Sequence, residues 1–295
     1  MTESANHTTY TFPARVARAL TRRLTRWFLG YDVTLLEERL HKVEAASAHW
    51  KQTADRAHAL QSRFDTVEKL LIELESNPKA PWLYAHRAER MDATVSFFNE
   101  TSRAFHLARY AFACDYVKGK ITADIASGTG YGTAMLVSQG GASKATGVDI
   151  DPGTIQYASD VYGDGVIRFL CESGDDTGLP EKSIDVVTSF ETIEHVPDDR
   201  ALIQEFARIL RPGGTLICST PNQWPLEDAP HHVREYTLES FRNVLEKSFT
   251  ITAMFNQNSG ASNRKFNRDQ PEGIIPTTPE NQHTAECYIA VCTRK

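Results

Sequence analysis

Three residues in the second half of the chain have types and spacing suited to proton or metal chemistry. Glu191, Glu194 and His195 fall at i, i+3 and i+4, just after an apolar run ending near Phe190. A helical turn there would place all three side chains on one face. Two carboxylates and an imidazole in so small a space repel as anions unless a cation lies between them or one is protonated. Downstream, His231 and His232 precede Val-Arg-Glu235-Tyr236-Thr237. A histidine from that loop would complete a Glu/Glu/His/His set of the kind that suits Mg2+, Mn2+ or Zn2+. The residues leave three readings open: a bound divalent ion, a metal-free general base at His195, or groups that are solvated or paired with Arg234 or Arg242 and have no catalytic role.

A second constellation lies upstream. Ile121-Thr-Ala-Asp124-Ile-Ala126-Ser127-Gly128-Thr-Gly130-Tyr131-Gly132 reads as a buried strand, a tight loop and a helix start. Glycine lets the backbone approach a ligand closely, and the helix start offers unpaired N–H groups. A second strand, Ala145-Thr-Gly-Val-Asp149, ends in a carboxylate that can accept hydrogen bonds from a ribose diol. A dinucleotide loop would read G-x-G-x-x-G and would hold a pyrophosphate. Here the spacing is G-x-G-x-G, and the preceding Asp124 would repel phosphate but would suit a cationic amine.

At these residues the chain resembles the class I S-adenosylmethionine-dependent methyltransferases, over roughly residues 105–295. The landmarks come in that family's order: Asp124 to Gly132, Asp149, Gly174-Asp175-Asp176 before Leu179-Pro180, Phe190 to His195, and Leu210-Arg-Pro-Gly-Gly214. The resemblance implies a doubly wound, Rossmann-like, seven-stranded α/β sheet whose last strand is antiparallel, with S-adenosylmethionine across its edge. Asp124 would hold the methionine amine, directly or through water. Ala126, Ser127, Gly128, Gly130 and Tyr131 would line the loop, and the two glycines would leave room for the ligand. Asp149 would take the ribose hydroxyls beside Ile150. Asp175 would accept from the adenine amino group, while the Asp176 N–H would meet a ring nitrogen. Phe190 would border the substrate. Arg109, on one helical face with His106 and Tyr110, is either a partner of the methionine carboxylate or a surface arginine.

The Glu-x-x-Glu-His constellation resembles two metal-using branches, the small-RNA 3′-terminal 2′-O-methyltransferases and the O-methyltransferases of ubiquinone synthesis. It implies a set of Glu191, Glu194, His195 and one later histidine. Matching Glu235-Tyr236-Thr237 to the RNA-modifying branch assigns His232 rather than His231. The His106–Lys120 segment and the Ser219-Thr-Pro-Asn222 and His232–Thr237 blocks are similar to bacterial methyltransferases of glycans and other polyhydroxylated metabolites. The expected reaction is O-methylation of a sugar hydroxyl. RNA ribose and aromatic, quinone-type hydroxyls are the rival acceptors, and an inactive scaffold built around a helical arm is the rival class.

These residues need a framework. The chain has 295 residues and 41% hydrophobic content, enough for one large domain and an appendage. A net charge of −6 gives no general nucleic-acid footprint, although Asn263-Arg-Lys-Phe-Asn-Arg268 is a small basic patch. The five cysteines form no C-x-x-C pair, and the default is reduced, buried thiols in a cytoplasmic protein. No apolar run approaches a membrane span, and the N-terminal residues show no continuous signal core.

Residues 1–80 are expected to form a helical arm and 81–295 the methyltransferase domain, with its core at 119–295. Arg15, Arg18, Arg22 and Arg26 in a candidate helix over 13–29 would either touch an anionic inner-membrane surface or stand in water. Residues 31–75 alternate apolar and small residues in steps of three and four, with one three-residue slip near Ala57–Leu60. That pattern suits a coiled coil and self-association into a homo-oligomer; the alternative is a helical hairpin. Further strands are expected at Val166–Cys171, Ile184–Phe190, Thr215–Thr220, Thr250–Phe255 and Cys287–Cys292. The Asn-, Pro- and Gly-containing stretch 256–284 is expected as a long insertion or lid.

Overall fold

A computed structural model describes residues 33–77, 79–86, 90–222, 226, 231–259 and 272–295, and the side chains of the first helix from 38 to 72. The arginine-bearing stretch 13–29 and the basic patch 263–268 lie outside the described residues. The chain divides into two compact units, Met1–Val67 and Glu68–Lys295.

Helix α1, Val33–Ser76, runs unbroken for 44 residues and contains neither glycine nor proline. It stops before Asn77-Pro78, as proline at that point requires. A short helix α2 (Ala80–Ala85) and α3 (Glu100–Cys114) lead to the sheet. The Asn99 side chain caps α3 by accepting from the Ser102 N–H. There follow β1 (Ile121–Ile125), α4 (Tyr131–Ser138), β2 (Lys144–Asp149), α5 (Pro152–Tyr162), β3 (Ile167–Cys171) and β4 (Ile184–Phe190). The chain continues with α6 (Asp199–Ile209), β5 (Leu210–Pro221), α7 (Leu238–Leu245), β6 (Phe249–Asn258), β7 (Gly273–Pro276) and β8 (Cys287–Arg294). Asp151, Asp198 and Thr237 cap α5, α6 and α7 through their side chains.

The strands form one sheet in the order β3-β2-β1-β4-β5-β8-β6-β7. β3 through β5 are parallel, and β8 inserts antiparallel between β5 and β6. Neighbouring strand residues go to opposite faces, as the pleat demands. Val187 and Leu216 pack with Leu202, Phe206, Phe241 and Phe249 on one side. Val186 and Ile217 pack with Tyr110, Val117, Tyr131 and Leu136 on the other.

The expected doubly wound sheet is present, but it has eight strands among the described residues rather than seven. The additional strand, β7, lies inside the stretch expected as a loop and pairs antiparallel with Phe255–Asn258. Its Gly-Ile-Ile-Pro sequence is too short to show a period, and it gains order from the edge of β6. No described helix is long and apolar enough to cross a membrane. Cys218, Cys287 and Cys292 are buried free thiols, as expected, whereas Cys171 is exposed.

The sheet reverses its winding between β1 and β4. Chain order runs outward through β2 and β3, then returns to the other side of β1. The crevice beyond the carboxyl ends of these two strands is where this topology binds ligands. Both sequence constellations open onto it.

Candidate active site

After Ile125 the chain enters a loop that only an unusual backbone can make. Ala126, Gly128 and Gly130 have φ of 62°, 53° and 85°. A Cβ on Gly128 would point into open space. One on Gly130 would lie 2.6 Å from the Phe169 ring. Gly128 therefore leaves room on the crevice side, whereas Gly130 admits packing beneath the loop, which corrects the expectation that both face a ligand. The Gly128 N–H donates to Asp149 Oδ2 at 2.9 Å, and the Asp151 N–H donates to Oδ1 at 3.1 Å. The carboxylate at the end of β2 is thus fixed in orientation. Thr129 Oγ1 donates to the Met91 carbonyl, tying down the segment that closes this end.

Asp124 sits elsewhere than expected. It is buried, and its carboxylate accepts from Thr133 Oγ1 and Thr188 Oγ1, each at 2.7 Å, and from Tyr110 Oη at 3.2 Å. Burial pushes it up to about 6, against the pull of the three hydroxyls. Enclosed by these hydroxyls, it has no exposed face for direct contact with an amine. Thr188 faces Asp124 across the β1–β4 register, a pairing invisible until strand order is known. Asp175 and Ile150 line the crevice. The Asp176 N–H is used in the turn, where it donates to the Ser173 carbonyl.

The segment after β4 is not a helical turn. Glu191 has φ of 50°, and its N–H donates back to Ser219 on β5. Glu191 consequently parts from Glu194 and His195. Glu191 turns to Arg109, whose Nη1 lies 3.0 Å from Oε2, with His106 Nε2 at 3.8 Å. Arg109 is buried in α3 over the Phe105 ring, which removes the surface alternative. Burial alone would raise Glu191, but the charge of Arg109, with His106 adding, holds it at about 2.

Glu194 takes the opposite state. It is buried, Oε2 accepts from Thr220 Oγ1 at 3.1 Å, and Oε1 has no hydrogen-bond partner. Burial, with the charge of Glu191, raises it to about 8.

The later histidines complete a cluster because residues 231–237 pack onto this segment. Val233 N–H donates to the Glu194 carbonyl at 2.9 Å. Arg234 donates to the carbonyls of Ile193 at 2.8 Å, Val196 at 2.5 Å and Pro197 at 2.6 Å. Tyr236 Oη donates to Asp199 Oδ2 at 2.7 Å. Between these anchors, His195 and His232 stand edge to face, with ring centroids 4.7 Å apart. Ligand atoms of Glu194, His195 and His232 lie within 4.8 Å of one another. His232 falls in this cluster and Glu191 does not. His195 Nδ1 lies 3.0 Å from the His231 carbonyl, which can only accept. That bond places the proton on Nδ1 and leaves Nε2 as the basic nitrogen, 3.9 Å from Glu194 Oε1.

One cavity of about 830 Å3 joins the two constellations. Gly128, Asp149 and Asp175 line it, and so do Arg109, Glu191 and His195. Tyr131 and Phe190 lie along it, together with Arg90, Met91 and His231, which the sequence reading did not assign to the site.

The Methyltransferase domain family matches residues 123–218. A probable S-adenosylmethionine-dependent methyltransferase of Mycolicibacterium smegmatis is 33% identical over 136 residues, covering 43% of this chain and 51% of that protein. A ubiquinone biosynthesis O-methyltransferase of Xanthomonas campestris pv. campestris is 30% identical over 120 residues, 38% of this chain and 49% of that one. The chain thus spans about half the length of the curated relatives it matches. Among solved structures, the N-methyltransferase NodS of Bradyrhizobium japonicum, in complex with S-adenosyl-L-homocysteine, aligns with a TM-score of 0.50 and 15% identity, covering 66% of this chain and 88% of that one. Over residues 123–218 the chain is thus similar to the Methyltransferase domain family, and its sheet has the fold of the solved methyltransferase structures it aligns with.

Proposed function

We propose that the chain is an S-adenosylmethionine-dependent O-methyltransferase whose acceptor is a hydroxyl of a sugar, a glycan end or a related polyhydroxylated metabolite. The observation that carries this reading is the single cavity that both Asp149 and His195 line. The residues fit the cofactor. Gly128 leaves open space where a side chain would intrude, and Asp149 is oriented by two N–H donors with acceptor capacity to spare. Ile150, 71% exposed, offers an apolar surface beside it. Arg109 lines the cavity and places a positive charge in its wall, with enclosed Nε and Nη2 atoms that have no hydrogen-bond partner. When bound, S-adenosylmethionine supplies an electrophilic methyl group on a sulfonium.

An alcohol is a poor nucleophile until its proton leaves. His195 Nε2 takes that proton, and the His231 carbonyl holds the ring in the required tautomer. The Glu194 carboxyl lies beside Nε2 at 3.9 Å, and a positive charge arriving on the imidazole favours its ionised form. Glu191 and Arg109 neutralise each other along the cavity wall, so the buried charge of one does not face the acceptor unpaired. The O-methyl assignment draws on the ubiquinone-pathway relative, and the sugar class on the resemblance of the Ser219–Asn222 and His232–Thr237 blocks.

A second reading rests on the unpartnered Oε1 of Glu194 within the Glu194–His195–His232 cluster. A mixed oxygen and imidazole set can hold Mg2+, Mn2+ or Zn2+ against a diol. The test is an acceptor screen with isotopically labelled cofactor, with and without chelator. Methylation of sugar hydroxyls that survives chelator supports His195 as base. Loss that Mn2+ or Mg2+ restores supports the ion. Transfer to amines alone, or to RNA ends alone, overturns the acceptor class, and failure to bind the cofactor in calorimetry leaves an inert scaffold.

A further inference from the structure

Helix α1 displays an apolar stripe that no described residue covers. Every side chain from 38 to 65 is exposed, including Trp50 at 71% and Phe64 at 70%. Residues 40, 43, 47, 50, 54 and 57 alternate by three and four, then after one step of three the pattern resumes at 60, 64, 67 and 71. That spacing matches the a and d positions of a coiled coil, interrupted once.

We propose that the stripe is covered by the same stripe of a second copy of this chain, in a parallel and in-register pair. The flanking charges single out that occupant. With Leu40 at an a position, Arg39 is at g and Glu44 at e. Past the slip, Phe64 is at a, Arg63 at g and Glu68 at e. In a parallel, in-register pair each g residue faces the e residue five further on in the partner. Both heptads then set arginine against glutamate. An antiparallel pair sets g against g, where Arg39 and Arg63 meet only each other or the uncharged Ala46, Thr53 and Leu70. Residues five apart do not face each other on one helix, so neither arginine meets its glutamate within a single chain, where Glu44 instead lies 3.2 Å from His41 Nδ1.

The slip itself agrees with close pairing. A three-residue insertion overwinds the two strands locally. The residues just before it, Ala54 and Ala57, are small enough to let the helices close in.

The experiment uses the full chain. Analytical ultracentrifugation at micromolar concentration is expected to give twice the mass of one chain. Trp50→Asp with Phe64→Asp gives a single-chain mass while calorimetric cofactor binding persists, which separates loss of pairing from loss of fold. Arg63→Glu weakens association about fivefold, and adding Glu68→Arg restores it. Ser47→Cys yields a disulfide-linked pair on mild oxidation that the parent chain does not form. A single-chain mass for the parent overturns the proposal, as does a trimer. A pair in which Ser47→Cys fails to cross-link, or in which Glu68→Arg deepens the defect of Arg63→Glu, overturns the parallel register.

Discussion

Glu191 and Glu194 stand three residues apart and are held in opposite states. Glu191 Oε2 lies 3.0 Å from Arg109 Nη1, which holds it down at about 2. Glu194 Oε1 has no hydrogen-bond partner, and burial raises it to about 8. The two are coupled, since the charge of Glu191 is one of the influences that raise Glu194. Glu191→Gln leaves the Arg109 guanidinium buried and uncompensated, at an expected cost of about 3 kcal/mol in denaturant unfolding. Arg109→Met is expected to cost a similar amount. The double substitution should cost less than the two singles together by about 1–3 kcal/mol, the signature of a direct pair. Additive losses would show that the contact is incidental.

His195 is the group on which the proposed chemistry depends most. Removing a positioned general base lowers rates by about 10²–10⁴-fold. His195→Ala should therefore reduce single-turnover methyl transfer by that order while calorimetric cofactor affinity stays within about twofold. Arg234→Met disturbs the same imidazole indirectly, because Arg234 holds three carbonyls around it. Its turnover is expected to fall less than that of His195→Ala, and cofactor affinity should again be spared. Equal retention of turnover in both variants would remove the base assignment.

The framework was legible in the sequence wherever a local signal decided the structure. The strand, glycine loop and helix at 121–132 are set by residue type, and Asp149 ends its strand as read. The misreadings share one cause. The i, i+3, i+4 spacing of Glu191, Glu194 and His195 suggested one helical face, but the backbone at Glu191 turns left-handed. The N–H is there bonded to β5, a partner 28 residues away. Asp124 read as a ligand group because its three hydroxyl partners come from α3, α4 and β4. β7 has no period of its own and takes its order from β6. Contacts between elements, not propensities within them, decided each of these.

The buried Asp124 predicts a pH dependence of stability. Its carboxyl is raised from 3.8 to about 6 in the folded chain. The folded state therefore binds a proton that the unfolded state has already released between these values. The stability contributed is fully present below pH about 4 and is lost as pH rises through about 6, an order of about 3 kcal/mol. Asp124→Asn cannot release that proton. Whatever the variant costs in absolute stability, its deficit relative to the parent should shrink by about that amount from pH 4 to pH 7 in urea unfolding. A constant difference across the range would place the titration elsewhere.

Gly128 and Gly130 offer a final discrimination between folding and binding. Both have left-handed backbones, so alanine at either is expected to cost about 1–2 kcal/mol in strain alone. At Gly130 the added methyl also strikes Phe169 at 2.6 Å and Ala158 at 2.8 Å, so Gly130→Ala should lower the melting temperature further than Gly128→Ala does. At Gly128 the methyl meets nothing in the chain and projects where the ligand would lie. A methyl forced into a filled site costs about 1–3 kcal/mol, which is about fivefold to a hundredfold in the dissociation constant. Calorimetry of Gly128→Ala with S-adenosylmethionine should show that loss in a chain that still folds. Unaltered affinity would mean that the cofactor does not rest against this loop.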